Sequence, residues 1–530
     1  MKGRFMTLGG RVAPLLGITV MQAVCLMLAL GIVSTRAAQD TPRASQLVIA
    51  QLGNPSALDG WNWTATSEQD ILAHVQESLL QYDREAKLQP LLAESLEMQS
   101  LTEWTLKIRK GVKFHEAELG ELTAEDVKAS IETNLRKGTS HSVRMPAVLR
   151  EGTVEVLDPY TIRWRLQEPG LVTLGPWLVD MYITSKKYLE RVGLEAAARH
   201  PVGTGPYRFV EWSPNRQIVM EVFKDYWRPP PAFERLLWRI ISDASTRKNE
   251  LLTGGIDVLP FVTPEIVPEI QAHPKLHLET VLSTRLMFIP LPVENVLLAD
   301  KRVRLALNLA VNKREIIEQL FRGIGAVELT APIPLTLAER NPKLSGYPYD
   351  PARAQQLLKE AGAMGKTITL EAPYNRYTLD RELGEAIAGY WEAVGLKVEY
   401  KPQDWASYGP RVLRGAPAWP TNPFLMGFGD GRYLADYMYD LWLIKKPGGS
   451  RGAVYTKGPD HWDTWSQEIS LMGLQDPRRQ DLLYKLQEEI MDHAPWVLVL
   501  NFQDIYALSN RVGWKPFSNE RRDMYDAKPR

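Results

Sequence analysis

From Arg302 to Tyr400, segments with a helical period and segments with a strand period take turns, and most end on a recognisable stop signal. Arg302–Gly323 sets Val303, Ala306, Leu307, Ala310, Ile317 and Leu320 on one helical face. Asp350 and Pro351 open a second helix. The carboxylate can accept from the first free N–H groups, and proline suits the first helical position, where no N–H is needed. Ala354, Leu357, Leu358 and Ala361 face inward and Gly362 ends the helix. A strand over Ile368–Ala372, a helix over Arg381–Val394 stopped by Gly395, and a strand over Leu396–Tyr400 complete the run. Helices that alternate with strands bury their apolar stripes on a sheet, so this half of the chain reads as an α/β lobe.

The first half reads differently. Gln46–Gln51 is a short strand, followed by a polar loop that holds Trp61, Asn62 and Trp63. Ser67 and Asp70 predict a capping box ahead of a helix with Ile71, Leu72, Val75 and Leu79 on one face. Trp104, Leu106 and Ile108 alternate as a strand. Thr123 and Asp126 cap a helix with Val127, Ile131 and Leu135 inward, and Val154–Leu166 forms a hairpin around Asp158-Pro159. Residues 64–199 thus make a mixed α+β unit. Beyond it, Gly203-Thr204-Gly205-Pro206 invites comparison with a phosphate loop. That motif needs a helix straight after its glycines. Here Tyr207–Trp212, a turn at Ser213-Pro214-Asn215 and Ile218–Phe223 spell strand, turn, strand, so the glycines shape a bend into a hairpin. A strand over Leu237–Ile241 follows, and near the end come a helix over Leu482–Met491 and a strand over Trp496–Asn501.

Charge excludes some partners. Lys plus Arg and Asp plus Glu both number 63, which gives no electrostatic case for nucleic acid or an anionic membrane surface. The N-terminus has the layout of an export signal: Lys2, Arg4 and Arg11, an apolar run from Ala13 to Val33, then small residues for a cut near Ala37 or Ala38. The run is also long enough to serve as an uncleaved anchor. The single cysteine, Cys25, lies inside it, so the mature chain has no disulfide, thiol nucleophile or thiolate metal site.

Catalytic motifs dissolve on inspection. Gly448-Gly449-Ser450-Arg451-Gly452 fits the spelling of a nucleophile elbow, but Lys445-Lys446-Pro447 precede it where a buried strand is required. Gly365-Lys366-Thr367 ends like a phosphate loop without its first glycine. His273 and His277 are four apart with Pro274 between them, which discourages a shared helical face and a shared metal. No catalytic set, metal site or cofactor site is read here.

A resemblance emerges from several segments in order. His74–Tyr82 with Leu88–Leu96, Trp104–His115, Leu122–Val127, Gly203–Tyr207, Asn249–Val258, Arg302–Leu307 with Ala310, and Tyr349–Gly362 together resemble the family-5 extracellular solute-binding proteins, the peptide- and nickel-type binding components of ABC importers. The resemblance implies an α/β, two-lobe periplasmic-binding-protein-like fold of class II, with an extra α+β subdomain inserted in the first lobe. Residues 1–38 are then a signal peptide; 39–63, 200–285 and 496–530 form lobe I; 64–199 are the insert; and 286–495 form lobe II. It implies a periplasmic, monomeric binder that traps a small solute between its lobes, most simply a di- or oligopeptide, and passes it to membrane permease subunits driven by a separate ATPase. Oligosaccharide, nickel-chelate or opine-like ligands are the alternatives on the same fold, and a secreted serine hydrolase using Ser450 is the alternative of another class. Candidate ligand contacts are Trp61, Asn62 and Trp63 after the first strand, Tyr374, Asn375, Arg376 and Tyr377 after a lobe-II strand, and Phe428, Asp430 and Asp436 within Phe424–Tyr437. Peptide-binding relatives carry an acidic residue after a Gly-Trp pair to hold the peptide amine. Asp430 matches it if one position is deleted, Asp436 is its rival, and Phe428 stands where tryptophan is usual.

Overall fold

The computed structural model describes residues 45–530 apart from 64–65, 140, 143–144, 170–173, 375, 414–419, 430, 445–454 and 457. The expected signal segment, Asn375, Asp430 and the Ser450 loop lie outside the described residues. No described helix is long and apolar enough to cross a membrane.

One nine-stranded mixed sheet organises the molecule. Its strands run in the order Met426–Phe428, Leu276–Pro290, Trp496–Ser509, Val258–Leu259, Gln46–Gln51, Arg235–Ile240, Gln217–Val222 and Tyr207–Ser213, and Ala326–Glu328 also pairs with Trp496–Ser509. Gln46–Gln51 is parallel to both neighbours, and the other pairings are antiparallel. A separate antiparallel sheet, Ala93–Ser100, Glu103–Ile108, Thr161–Arg165 and Thr153–Asp158, forms the insert. Thr367–Tyr374 and Lys397–Asp404 pair in parallel and are joined through the helix Asp380–Ala393, the crossover unit that the alternating pattern predicts.

Two strands span both halves. Leu276–Pro290 and Trp496–Ser509 pair along nearly their whole length, but the register breaks between Leu282 and Leu286 and leaves 283–285 out of the ladder. On one side of that bulge, Val497–Leu500 and Phe502 pack with the helices of the second half. On the other, Ile505–Leu508 pack with Leu47, Ile49 and Val258 or with Val48 and Ile270. Trp496, expected to mark the return to the first lobe, packs with Phe288, Tyr439 and Trp442 of the second half. The bulge disrupts the ladder between these two packing groups.

Local signals differ in how well they survive. Asp350 accepts from Arg353 N–H at 2.9 Å, with Pro351 next to it. Thr123 N–H and Oγ both donate to Asp126, at 3.0 and 2.8 Å. The helix expected over Arg302–Gly323 is instead broken: Lys301–Leu309 ends, the Asn312 side chain accepts from Glu315 N–H at 3.2 Å, and a short new helix starts. Asparagine competes with the helix by offering its own cap. Asp70 is not a cap residue; it is buried against Arg522. The Gly203–Tyr207 bend leads into the hairpin Tyr207–Ser213 and Gln217–Val222. Gly205 N–H donates to the Val75 carbonyl and Tyr207 N–H to the His74 carbonyl, both at 3.0 Å.

Candidate ligand-binding cleft

The two halves meet at the bulge itself. Thr284 N–H donates to the Ser518 carbonyl at 2.7 Å, bringing the C-terminal segment against it. Arg285 forms a two-pronged ion pair with Glu520, and the Ser283 hydroxyl donates to Glu520 Oε1 at 3.2 Å. Asp504 lies beside them, with Oδ2 unpartnered. Burial, and then the negative charge of Glu520, push its carboxyl up to about 8.

One wall comes from the turn after Thr367–Tyr374. Asp380 accepts from the N–H groups of Arg376 and Tyr377, both at 2.9 Å, and so fixes the turn. The Tyr377 hydroxyl donates to the Gly427 carbonyl at 3.0 Å. A Cβ on Gly427 would come within 2.6 Å of the Tyr377 ring, so only glycine allows this approach. Arg376 lies over Tyr377 and Trp405, 5.3 and 5.0 Å from their ring centroids, and is exposed. Desolvation and the nearby Arg285 charge lower its affinity for its proton.

The other wall is aromatic. Arg432 stacks between Trp177 and Tyr437, 4.0 and 4.1 Å from their centroids. The Tyr82 hydroxyl donates to the Arg432 carbonyl at 2.5 Å, Tyr82 meets Tyr433 edge-on at 4.9 Å, and the Tyr433 and Ser518 hydroxyls are 2.6 Å apart. Phe428 packs 6.2 Å from Tyr437 and 6.1 Å from Trp442.

The expected contacts divide among several places. Arg376, Tyr374 and Phe428 lie on the second-lobe side of the cleft. Asp436 is not available to hold an amine, because Arg479 donates to it at 2.9 Å in a buried cluster that also holds Glu339. Trp61 is buried in the insert's core, and Trp63 packs on His141 at 5.6 Å. Asn62 N–H is held by Asp59. Trp61 and Asn62 instead border a separate open cavity of about 1150 Å³, shared with Arg136, Arg199 and Trp212. Sequence reading missed Arg285, Glu520, Arg432, Trp177 and Trp405. The first pair joins positions 235 apart and had no local signal. Arg432 lies inside Phe424–Tyr437, between the acidic candidates Asp430 and Asp436.

Residues 87–449 match the family described as bacterial extracellular solute-binding proteins, family 5, middle region. The chain belongs to that family. This solute-binding protein is 28% identical to heme-binding protein A of Haemophilus influenzae, over 87% of each chain. It is 29% identical to di/tripeptide-binding protein 1 of Pseudomonas aeruginosa, over 70% of this chain and 74% of that one. Its fold superposes on the periplasmic binding protein DppA of Helicobacter pylori, solved in complex with a peptide, with a TM-score of 0.77 and 24% identity over 91% of this chain and 98% of that one. The two-lobe α/β fold read from the sequence is therefore the fold of this solute-binding protein, and its work is to capture a solute and deliver it to an ABC importer.

Proposed function

We propose that the solute is a short peptide or a closely related molecule with a free carboxylate, and that Arg376 receives that carboxylate. The observation that carries the reading is the environment of Arg376. Its guanidinium lies 5.0 and 5.3 Å from the ring centroids of Trp405 and Tyr377, stands near a second cation, Arg285, and forms no direct ion pair with a carboxylate among the described residues. A cation kept near another cation gains most from an anion that arrives with the ligand. The di/tripeptide-binding relative supports the same class. Asp430, next to Gly429 in the sequence, is the proposed partner for the peptide amine, and Asp436 is withdrawn from that role.

The remaining parts of the proposal follow from the family. Lobe I takes 39–63, 200–285 and the C-terminal segment, 64–199 are the insert, and lobe II takes the residues between, with the return moved from Trp496 to about Gln503. The chain is exported, loses its signal near Ala37 or Ala38, works as a monomer and meets a permease whose ATPase is a separate chain. The test is calorimetric titration with di- and tripeptides, their C-terminal amides, oligosaccharides and nickel chelates. Binding of free peptides, weakened at least tenfold by amidation and by Arg376→Gln, is expected. Binding of sugars or chelates alone would overturn the peptide assignment.

A further inference from the structure

The loop from Arg432 to Leu434, ahead of the helix Ala435–Trp442, does more than line the cleft. It belongs to the second lobe, yet it plugs into the insert. Arg432 is 7% exposed, between the ring of Trp177 from the insert and Tyr437 from its own lobe. Trp177 and Tyr437 also meet edge-on at 5.3 Å. Two residues along, Leu434 is 2% exposed and forms part of the insert's apolar core, alongside Leu178 and Val179. Tyr433, held at a φ of 56°, closes the same seam against Tyr82 and Ser518. A positive φ at a tyrosine costs energy that its surroundings offset.

We propose that Arg432 and Leu434 form a latch that keeps the two lobes closed without ligand, so that solute enters only when this loop withdraws from the insert. The proposal rests on the two-lobe fold and not on the identity of the ligand. A guanidinium between two aromatic faces gains from both quadrupoles once water is excluded, and Leu434 adds apolar burial that exists only while the lobes are together. Both gains vanish on opening, and this differential sets a closed population. A ligand that enters through such a latch finds its own affinity reduced by the fraction of time the loop is seated.

The test is a distance measurement between nitroxide labels at Glu132→Cys on the insert and Lys397→Cys on the second lobe, in the chain after signal removal, which holds no other cysteine. Bound solute is first removed by unfolding in guanidinium and refolding. The ligand-free protein is expected to show mainly the short, closed distance. Arg432→Ala and Leu434→Ala should each lower the closed-to-open ratio by about tenfold, with Arg432→Lys between them and the parent, because lysine keeps the charge but not the flat stacking. Circular dichroism checks that each variant is folded, and the lysine variant keeps the test decisive if an alanine variant is not. An open parent protein, or folded variants with the parent's distance distribution, would overturn the latch.

Discussion

The buried guanidinium of Arg522 donates from Nε to Asp70 Oδ2 at 2.7 Å, while Arg522 N–H reaches the other carboxylate oxygen at 2.9 Å. The pair ties the C-terminal segment to the helix that follows the first strand, across 452 positions of sequence. Removing one partner leaves a charge stranded in a low-dielectric interior. Arg522→Met is therefore expected to lower unfolding stability by about 3–5 kcal/mol in urea titration. The double variant Asp70→Leu, Arg522→Met should recover much of that loss, since it strands no charge. Equal losses in both would show that packing, not charge, holds the segment.

This pair also shows where sequence reading stops. Asp350 and Asp70 both stand near the start of a helix. For Asp350 the partner is three residues away, so the local pattern is enough. For Asp70 the deciding partner is Arg522, and no spacing rule reaches that far. The same division runs through the cleft. The Phe424–Tyr437 stretch, whose part in ligand binding is a proposal, was singled out because family spacing marks it. The Arg285–Glu520 pair and the Trp177–Arg432 stack were not, because each joins segments that only the folded chain brings together. The glycines of the Gly203–Tyr207 bend were read as shaping a bend, and the reason for two of them is now specific. A Cβ on Gly205 would lie 2.5 Å from the His74 carbonyl oxygen, and one on Gly203 would overlap the Val75 carbonyl. Gly205→Ala should cost at least about 2 kcal/mol, because backbone rather than a flexible side chain is in the way. Loss of less than about 0.5 kcal/mol on urea unfolding would contradict the close approach.

Glu77 supplies a pH prediction. It is buried, and it accepts from Tyr226 and Thr204 hydroxyls at 2.8 Å and from Trp227 Nε1 at 3.0 Å, with no cation in direct contact among the described residues. Burial pushes its carboxyl up to about 7 from an ordinary 4.5, more than these hydrogen bonds pull it down. The folded state therefore holds this proton more tightly than the unfolded chain. Its contribution is complete below about pH 4.5 and is lost as pH rises towards 7, by up to about 3 kcal/mol. Stability curves of Glu77→Gln and the parent should converge in slope above pH 7 and diverge between 4.5 and 7. Parallel curves across that window would refute the assignment.

Asp436 separates a structural carboxylate from a binding one. Arg479, 1% exposed, donates to Asp436 at 2.9 Å, to Glu339 at 2.8 Å and to the Ile469 carbonyl at 2.9 Å. Asp436→Asn should destabilise by about 3 kcal/mol, near the lower end for a broken buried pair because Glu339 still answers the guanidinium. Peptide affinity of the folded variant should match the parent. A variant of normal stability with impaired binding would return Asp436 to the ligand.

Asp504 sits where the two long strands lose register, and its surroundings set the sign of a further effect. Facing it are Glu520, Arg285 and Ser283, and Tyr506 on its own strand feels its charge. Arg285 is already paired with Glu520, so one cation serves two carboxylates. Burial first, and the Glu520 charge second, raise the Asp504 carboxyl from 3.8 to about 8. A raised carboxyl favours the folded state at low pH, and that advantage fades as pH climbs from about 4 to 8. Asp504→Asn keeps the shape and cannot ionise. It should lie close to the parent in thermal stability at pH 5 and several degrees above it at pH 9. The opposite order, with the asparagine variant weaker at pH 9, would mean that an ionised Asp504 is stabilised by Arg285 and that the pairing at the bulge is shared rather than exclusive to Glu520.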